Sequence, residues 1–201
     1  MIQQIENHYF PCINWFKILN KISYINLLSN ERWQKMSFRN RCVIAGSNGP
    51  ISLSVPIEHG RNQKILFRDV KIDNAGSNWQ QQHWRTIVSC YNRSPFFEYY
   101  ADGLKQFFGK KYVFLFDLNQ EIIYRLNKYL SDLHIVSDSE FENKTVNMEF
   151  CKPKDFQEIP QPVVYHQMFE ERIGFQPNLS ILDLLFMEGP NAKQLINYNL
   201  I

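Results

Sequence analysis

Cysteine is sparse and never clustered: Cys12, Cys42, Cys90 and Cys151 form no CxxC pair and no Cys/His group at metal-ligand spacing. No metal site is therefore expected, no disulfide framework is written, and the four are expected as reduced thiols. An excess of either charge is lacking too, since 22 basic residues against 20 acidic ones leave a net charge of +2. With the basic residues scattered rather than striped, non-specific nucleic-acid binding through phosphate neutralisation is excluded. Long apolar runs are missing: none approaches the roughly 18 residues of a membrane-spanning helix, so no membrane span is expected. The opening residues MIQQIENHYFPC carry no basic segment followed by an apolar one. No secretory signal is expected there, and the cytoplasm is the expected compartment.

What is abundant is aromatic. Rings make up 15% of the chain within an ordinary hydrophobic fraction of 44%, which points to a core or cleft built from them. A chain of 201 residues is expected to form one domain, residues 1–201, that folds without staples. Residues 2–10 read as a short strand running into a loop, residues 11–22 as a helix with Pro11 in its first turn, and Tyr24 to Leu28 as a buried strand. A hairpin follows, Cys42–Ala45 and Ile51–Ile57 about the turn Gly46-Ser47-Asn48-Gly49, and then a strand over Ile65–Ile72.

Three amphipathic helices come next. On a wheel of about 100° per residue, Trp79, His83, Trp84, Ile87, Val88, Cys90 and Tyr91 share one half-circle, so the first must bury its aromatic side. Ser77 with Gln80, Ser94 with Pro95, and Asp117 with Gln120 read as the three helix starts. Residues 137–162 are polar and punctuated by proline, a loop-rich segment, and a last helix spans about Leu179–Glu188. The fold class is α/β: a central mixed sheet with an opening β-loop-α-β unit, a β-hairpin and three consecutive amphipathic helices.

Each candidate for chemistry has a plainer alternative beside it. Arg39 and Arg41, with Arg32 and Lys35 upstream, suit a phosphate grip if they project together from extended backbone, or they are a solvated strand pair. His83, inside an apolar arc, is either a desolvated general base or a hydrogen-bonded core residue. Arg85 lies on that helix's polar side, and Arg93 sits at the break before the next helix, where an anion is favoured. Ser180 and Asp183 suggest a catalytic pair, although Ser-x-x-Asp is first of all a helix start. Tyr165 heads a polar finger, and Tyr9 lies in the first strand-to-helix loop, where α/β enzymes bind ligands.

Several stretches together resemble the WbqC-like protein family in its Bacteroidetes-type form. They are Tyr9-Phe10-Pro11, Ser37-Phe38-Arg39-Asn40-Arg41-Cys42, Leu53-Ser54-Val55-Pro56-Ile57, His83-Trp84-Arg85-Thr86-Ile87, Tyr91-Asn92-Arg93-Ser94-Pro95-Phe96 and Phe175-Gln176-Pro177-Asn178-Leu179-Ser180. The order is unchanged along nearly the whole chain. Two departures stand out: Ile5-Glu6-Asn7 occupy the place of the family's His-Gln-Pro, and Cys12 that of its tryptophan.

The resemblance implies a role in bacterial surface-polysaccharide (O-antigen type) biosynthesis, as a cytoplasmic transferase of a nucleotide-linked sugar or similar phosphate-bearing donor, with no cofactor beyond that activated donor. The roles then expected are His83 and Asp183 in catalysis, and Arg39, Arg41, Arg85 and Arg93 on phosphate. Tyr9, Trp79, Trp84, Tyr91 and Tyr165 line the substrate. Two alternatives stay open: a non-catalytic module that positions another enzyme, and an acyl- or aminoacyl-transferring enzyme with Cys42 or Cys90 as nucleophile.

Overall fold

In the computed structural model, which describes residues 2–19, 22–60, 62–131, 133–136, 144–145, 148 and 151–198, the opening unit is β1 (Gln3–Glu6), α1 (Ile13–Leu19) and β2 (Tyr24–Leu28). The two strands pair in parallel with Ile5 opposite Leu27. Ile5, Ile25 and Leu27 are all buried, and α1 covers the strands with Trp15, Phe16 and Leu19. Burial of both faces is what an all-parallel sheet requires. β5 (His134–Val136) adds alongside β2, and the two-residue β6 (Lys144–Thr145) adds on the far side of β1, both parallel. The strand order is β5-β2-β1-β6. The chain therefore leaves β1 to one side and later returns on the other, which makes its carboxyl end the place where the sheet changes direction.

β3 (Arg41–Gly46) and β4 (Gly49–Ser54) form the expected hairpin around Ser47 and Asn48. Gly49 takes a φ of +126° there, which a residue with a side chain resists. The α/β class is met, with the mixed character divided between a parallel sheet and this separate antiparallel ladder. Residues 65–72 differ from expectation. They make a short 3-10 turn at Phe67–Asp69 flanked by single bridges, Leu66 to Arg32 and Ile72 to Ile57, because Phe67 turns inward to stack on Trp33.

Three consecutive helices follow: α2 (Trp79–Tyr91), α3 (Phe97–Gly109) and α4 (Leu115–Leu130). The buried side of α2 is Trp79, His83, Ile87, Cys90 and Tyr91, as the wheel requires. None of the three expected caps forms. The Gln80 amide instead reaches Phe107 O and Lys110 O, Ser94 Oγ donates to Tyr91 O, and α4 begins two residues before Asp117. Tertiary partners take Gln80 from its capping box, whereas Ser94 bonds back to the end of α2 instead of capping α3.

Beyond α5 (Glu170–Ile173), α6 (Ile181–Glu188) has a true N-cap, because Ser180 Oγ accepts from Leu182 N–H at 3.4 Å. Gly189 stops α6 at φ +53°, and a β-carbon there would run into the Phe96 ring. A helix absent from the sequence reading, α7 (Asn191–Tyr198), then packs Ala192 and Ile196 towards α1 and α6. Of the loop-rich segment, residues 137–143, 146–147 and 149–150 lie outside the described residues.

Candidate functional site

The carboxyl end of β1 is where charge enters the core. Glu6 ends the strand, and Trp15 Nε1 fixes it by donating to Glu6 O at 2.9 Å. Asn7 and His8 follow, 0% and 1% exposed. The 38–40 loop closes over them through Tyr9 N–H to Phe38 O. Beneath lies α4, where Asn119 Nδ2 donates to Arg39 O at 2.7 Å.

Arg39 is among the largest fully buried side chains. Its guanidinium pairs with Glu31, lies 3.6 Å from Glu6 Oε1, donates to Arg32 O and sits 5.2 Å over the Phe67 ring. A buried cation persists only with such compensation. His8 Nε2 is 3.1 Å from Glu6 Oε2. Burial disfavours the Glu6 carboxylate, but the His8 hydrogen bond and the nearby charges of His8, Arg39 and Lys152 outweigh it and hold its pKa at about 2. Among the described residues, Asn7 Oδ1, His8 Nδ1, Arg39 Nε and Asn119 Oδ1 are buried and find no partner. Asn26 Oδ1, Asn40 Oδ1, Arg41 Nε and Trp79 Nε1 are also buried without a partner, so the four around Glu6 are half of the orphans among the described residues.

In front of this cluster Glu6 opens into a cavity of about 420 Å³. The exposed residues Lys35, Lys152 and Lys154 line it, while Met36, Phe38 and Pro153 supply an apolar wall. Three cations around one carboxylate give it a net attraction for an anion.

The other expected site residues fall elsewhere. Arg41 opens β3, and its Nη2 reaches Met36 Sδ at 3.5 Å, so Arg39 and Arg41 diverge rather than grip together. His83 accepts or donates to Tyr9 Oη at 2.9 Å through Nδ1, with the Trp79 ring 5.2 Å away. Burial pushes its pKa down to about 4, against a backbone hydrogen bond with Ser54 that favours the protonated ring. His83 is thus a neutral buried imidazole, 6% exposed, and among the described residues no carboxylate is bonded to it.

Asp183, wholly buried, accepts from Tyr91 Oη at 2.5 Å and from Tyr165 Oη at 2.8 Å, while Ala45 N–H donates to the Tyr91 oxygen. Burial raises its carboxyl to about 6 in spite of those donors. These bonds tie β3, α2 and α6 together around one carboxyl, and the nearby Cys90 thiol is pushed up by burial and by Asp183. Trp84 stacks on Phe97 at 6.1 Å. Arg85 is exposed at the edge of a shallow second cavity, and Arg93 is exposed four residues ahead of α3, away from its first turn.

Of the cavity's residues, the sequence reading had Lys35 alone, as a companion of the arginines. Glu6, Lys152 and Lys154 were missed because 145 residues separate the strand end from the lysines that face it. The available signal is Glu6 itself, a carboxylate closing a short strand ahead of a loop.

Fold and site together define an α/β protein with a lysine-lined cavity at the carboxyl end of a parallel strand. The chain belongs to the WbqC-like protein family, whose model matches residues 7–152 and 131–195. It is similar to the uncharacterized protein Rv1507c of Mycobacterium tuberculosis, with 24% identity over 226 residues covering 96% of each chain. No solved structure matches it significantly. Among the described residues no helix is long and apolar enough to cross a membrane.

Proposed function

We propose that the cavity at the end of β1 binds a phosphate-bearing donor, a nucleotide-linked sugar or a comparably activated compound, and that the protein is a transferase of bacterial surface-polysaccharide biosynthesis. Lys35, Lys152 and Lys154 hold the phosphates, and Met36, Phe38 and Pro153 cover an apolar face of the base or sugar. Glu6, ionised throughout the neutral range, accepts a hydrogen bond from a hydroxyl of donor or acceptor and sets its position. His8 and Arg39 act behind it: His8 orients the carboxylate through its hydrogen bond, and both keep it charged.

The observation that carries this reading is the lysine mouth over a buried, partly unpaired polar cluster at the strand end where the sheet changes direction. The donor class and the pathway rest on the family. In this reading His83 and Asp183 hold the framework, and Arg39 supports Glu6 instead of touching phosphate. A thermal-shift panel of nucleotide sugars, free nucleotides and coenzyme A derivatives tests it. A specific nucleotide-sugar shift is expected, and a response confined to coenzyme A derivatives would favour acyl transfer. Binding of a nucleotide sugar with no nucleotide released in the presence of polysaccharide acceptors would leave a binding module.

A further inference from the structure

Cys12 and Cys151 are 139 residues apart in the chain, yet their sulfurs lie 3.8 Å from one another in the wall beside the cavity. Both are buried, at 6% and 2% exposure, and Cys151 lines the cavity next to Lys152. Asn14 Nδ2 also reaches Cys151 Sγ, at 3.7 Å. The other two thiols are not so paired, and both Cys42 and Cys90 are pushed up by burial.

Cys12 differs in direction. Burial opposes its ionisation, but the Cys151 thiol and the backbone N–H groups of Trp15 and Asn14 favour its thiolate and bring it below the ordinary value. Two buried thiols in contact, one of them shifted towards ionisation, are the arrangement of a redox-reactive pair. The positions suspected as nucleophiles from sequence, Cys42 and Cys90, lack both features.

We propose that Cys12 and Cys151 form a dithiol site that a small hydroperoxide converts to a disulfide, and that the bond remodels the cavity at the end of β1. Cys12 gives up its proton as its sulfur attacks one peroxide oxygen, the O–O bond breaks, and the hydroxide that leaves with the bonding pair takes that proton as the first water, giving a sulfenic acid at Cys12. Cys151 then attacks that sulfur. The S–OH bond breaks, the hydroxyl takes the Cys151 proton, and water departs. In total two thiols and one hydrogen peroxide give one disulfide and two waters, the thiols being oxidised and the peroxide reduced. Bond formation contracts the sulfur separation from 3.8 Å to about 2 Å, and the contraction is transmitted to Lys152 because it is the next residue in the chain. Control of donor binding through this movement rests on the phosphate reading above. The dithiol itself does not.

The test is hydrogen peroxide titration of the whole chain, followed by non-reducing peptide mapping and by labelling of Lys152 with an amine-reactive ester. Expected are a Cys12–Cys151 linked peptide, reversed by dithiothreitol and retained in C90S, and a change of at least about threefold in the Lys152 labelling rate. Conversion of Cys12 to sulfinic acid with Cys151 still free, or linkage through Cys42 or Cys90, overturns the pair. Linkage with an unchanged Lys152 rate overturns the remodelling. Both readouts are taken without ligand. Failure of the phosphate reading shows separately, as absence of pyrophosphate binding by the reduced protein in calorimetry.

Discussion

His8 Nε2 and Glu6 Oε2 stand 3.1 Å apart at the end of β1, and the same carboxylate faces the buried Arg39 guanidinium with its other oxygen. One carboxylate thus holds two buried nitrogen bases in place while its own edge reaches the cavity. Removing its charge disturbs all three.

Replacing Glu6 with glutamine keeps the shape and removes that charge, leaving Glu31 as the remaining partner of Arg39. A loss of about 2 kcal/mol is expected by urea denaturation, below the full cost of stranding a buried charge because one carboxylate stays. The pH dependence has a definite sign. The lowered pKa of Glu6 means its stabilisation is complete above about 4.5 and is lost as pH falls towards about 2. The acid limb of the wild-type stability profile in that window should be shallower in E6Q, and identical limbs would contradict the pairing.

Asp183 and His83 pull in opposite directions at milder pH. Asp183, raised to about 6, favours the fold at low pH and loses that contribution as pH rises from about 4 through 6. His83, lowered to about 4, costs stability as pH falls from about 6.5 towards 4. The two slopes offset one another in the wild type. D183N is expected to leave stability rising between pH 4 and 6, and H83F to leave it falling, as read by thermal melts across that range. H83F should also keep its ligand-induced thermal shift, since the imidazole is core.

Phe10 holds a φ of +40°, a conformation that costs a non-glycine residue. Ser180 Oγ donates to Phe10 O at 3.0 Å, and the Phe108 ring stacks on Phe10 at 5.9 Å. Ser180 also caps α6, so one hydroxyl serves both a strained loop and a helix start. S180A is expected to lower stability by about 1–2 kcal/mol by chemical denaturation, and a change near zero would show that neither bond matters.

Much of the fold was legible because its signals are local. β2 falls where its apolar run lies, the buried side of α2 follows its 3.6-residue period, and Ser180 caps α6 as its Ser-x-x-Asp pattern implies. The failures are of two kinds. The capping patterns at Ser77, Ser94 and Asp117 do not form, with Gln80 drawn to α3 and Ser94 bonded back to Tyr91, and α7 lies beyond the helix expected to be the last. The site was the less legible part. Arg39 was recognised as chemically significant, but nothing local reveals that Glu6 and Glu31 neutralise it. Likewise, no spacing rule brings Cys151 and Lys152 to the end of β1.

The most direct measurement is calorimetric binding of a nucleotide sugar identified by the thermal-shift panel, compared between the wild type and the triple variant K35A/K152A/K154A. These three side chains are exposed, so the fold should persist, and a melt checks that it does. Loss of three cations facing a diphosphate is expected to weaken binding at least about tenfold, with a shallower dependence on salt. Unchanged affinity in a folded triple variant would contradict the assignment of the phosphate site to the cavity at the end of β1.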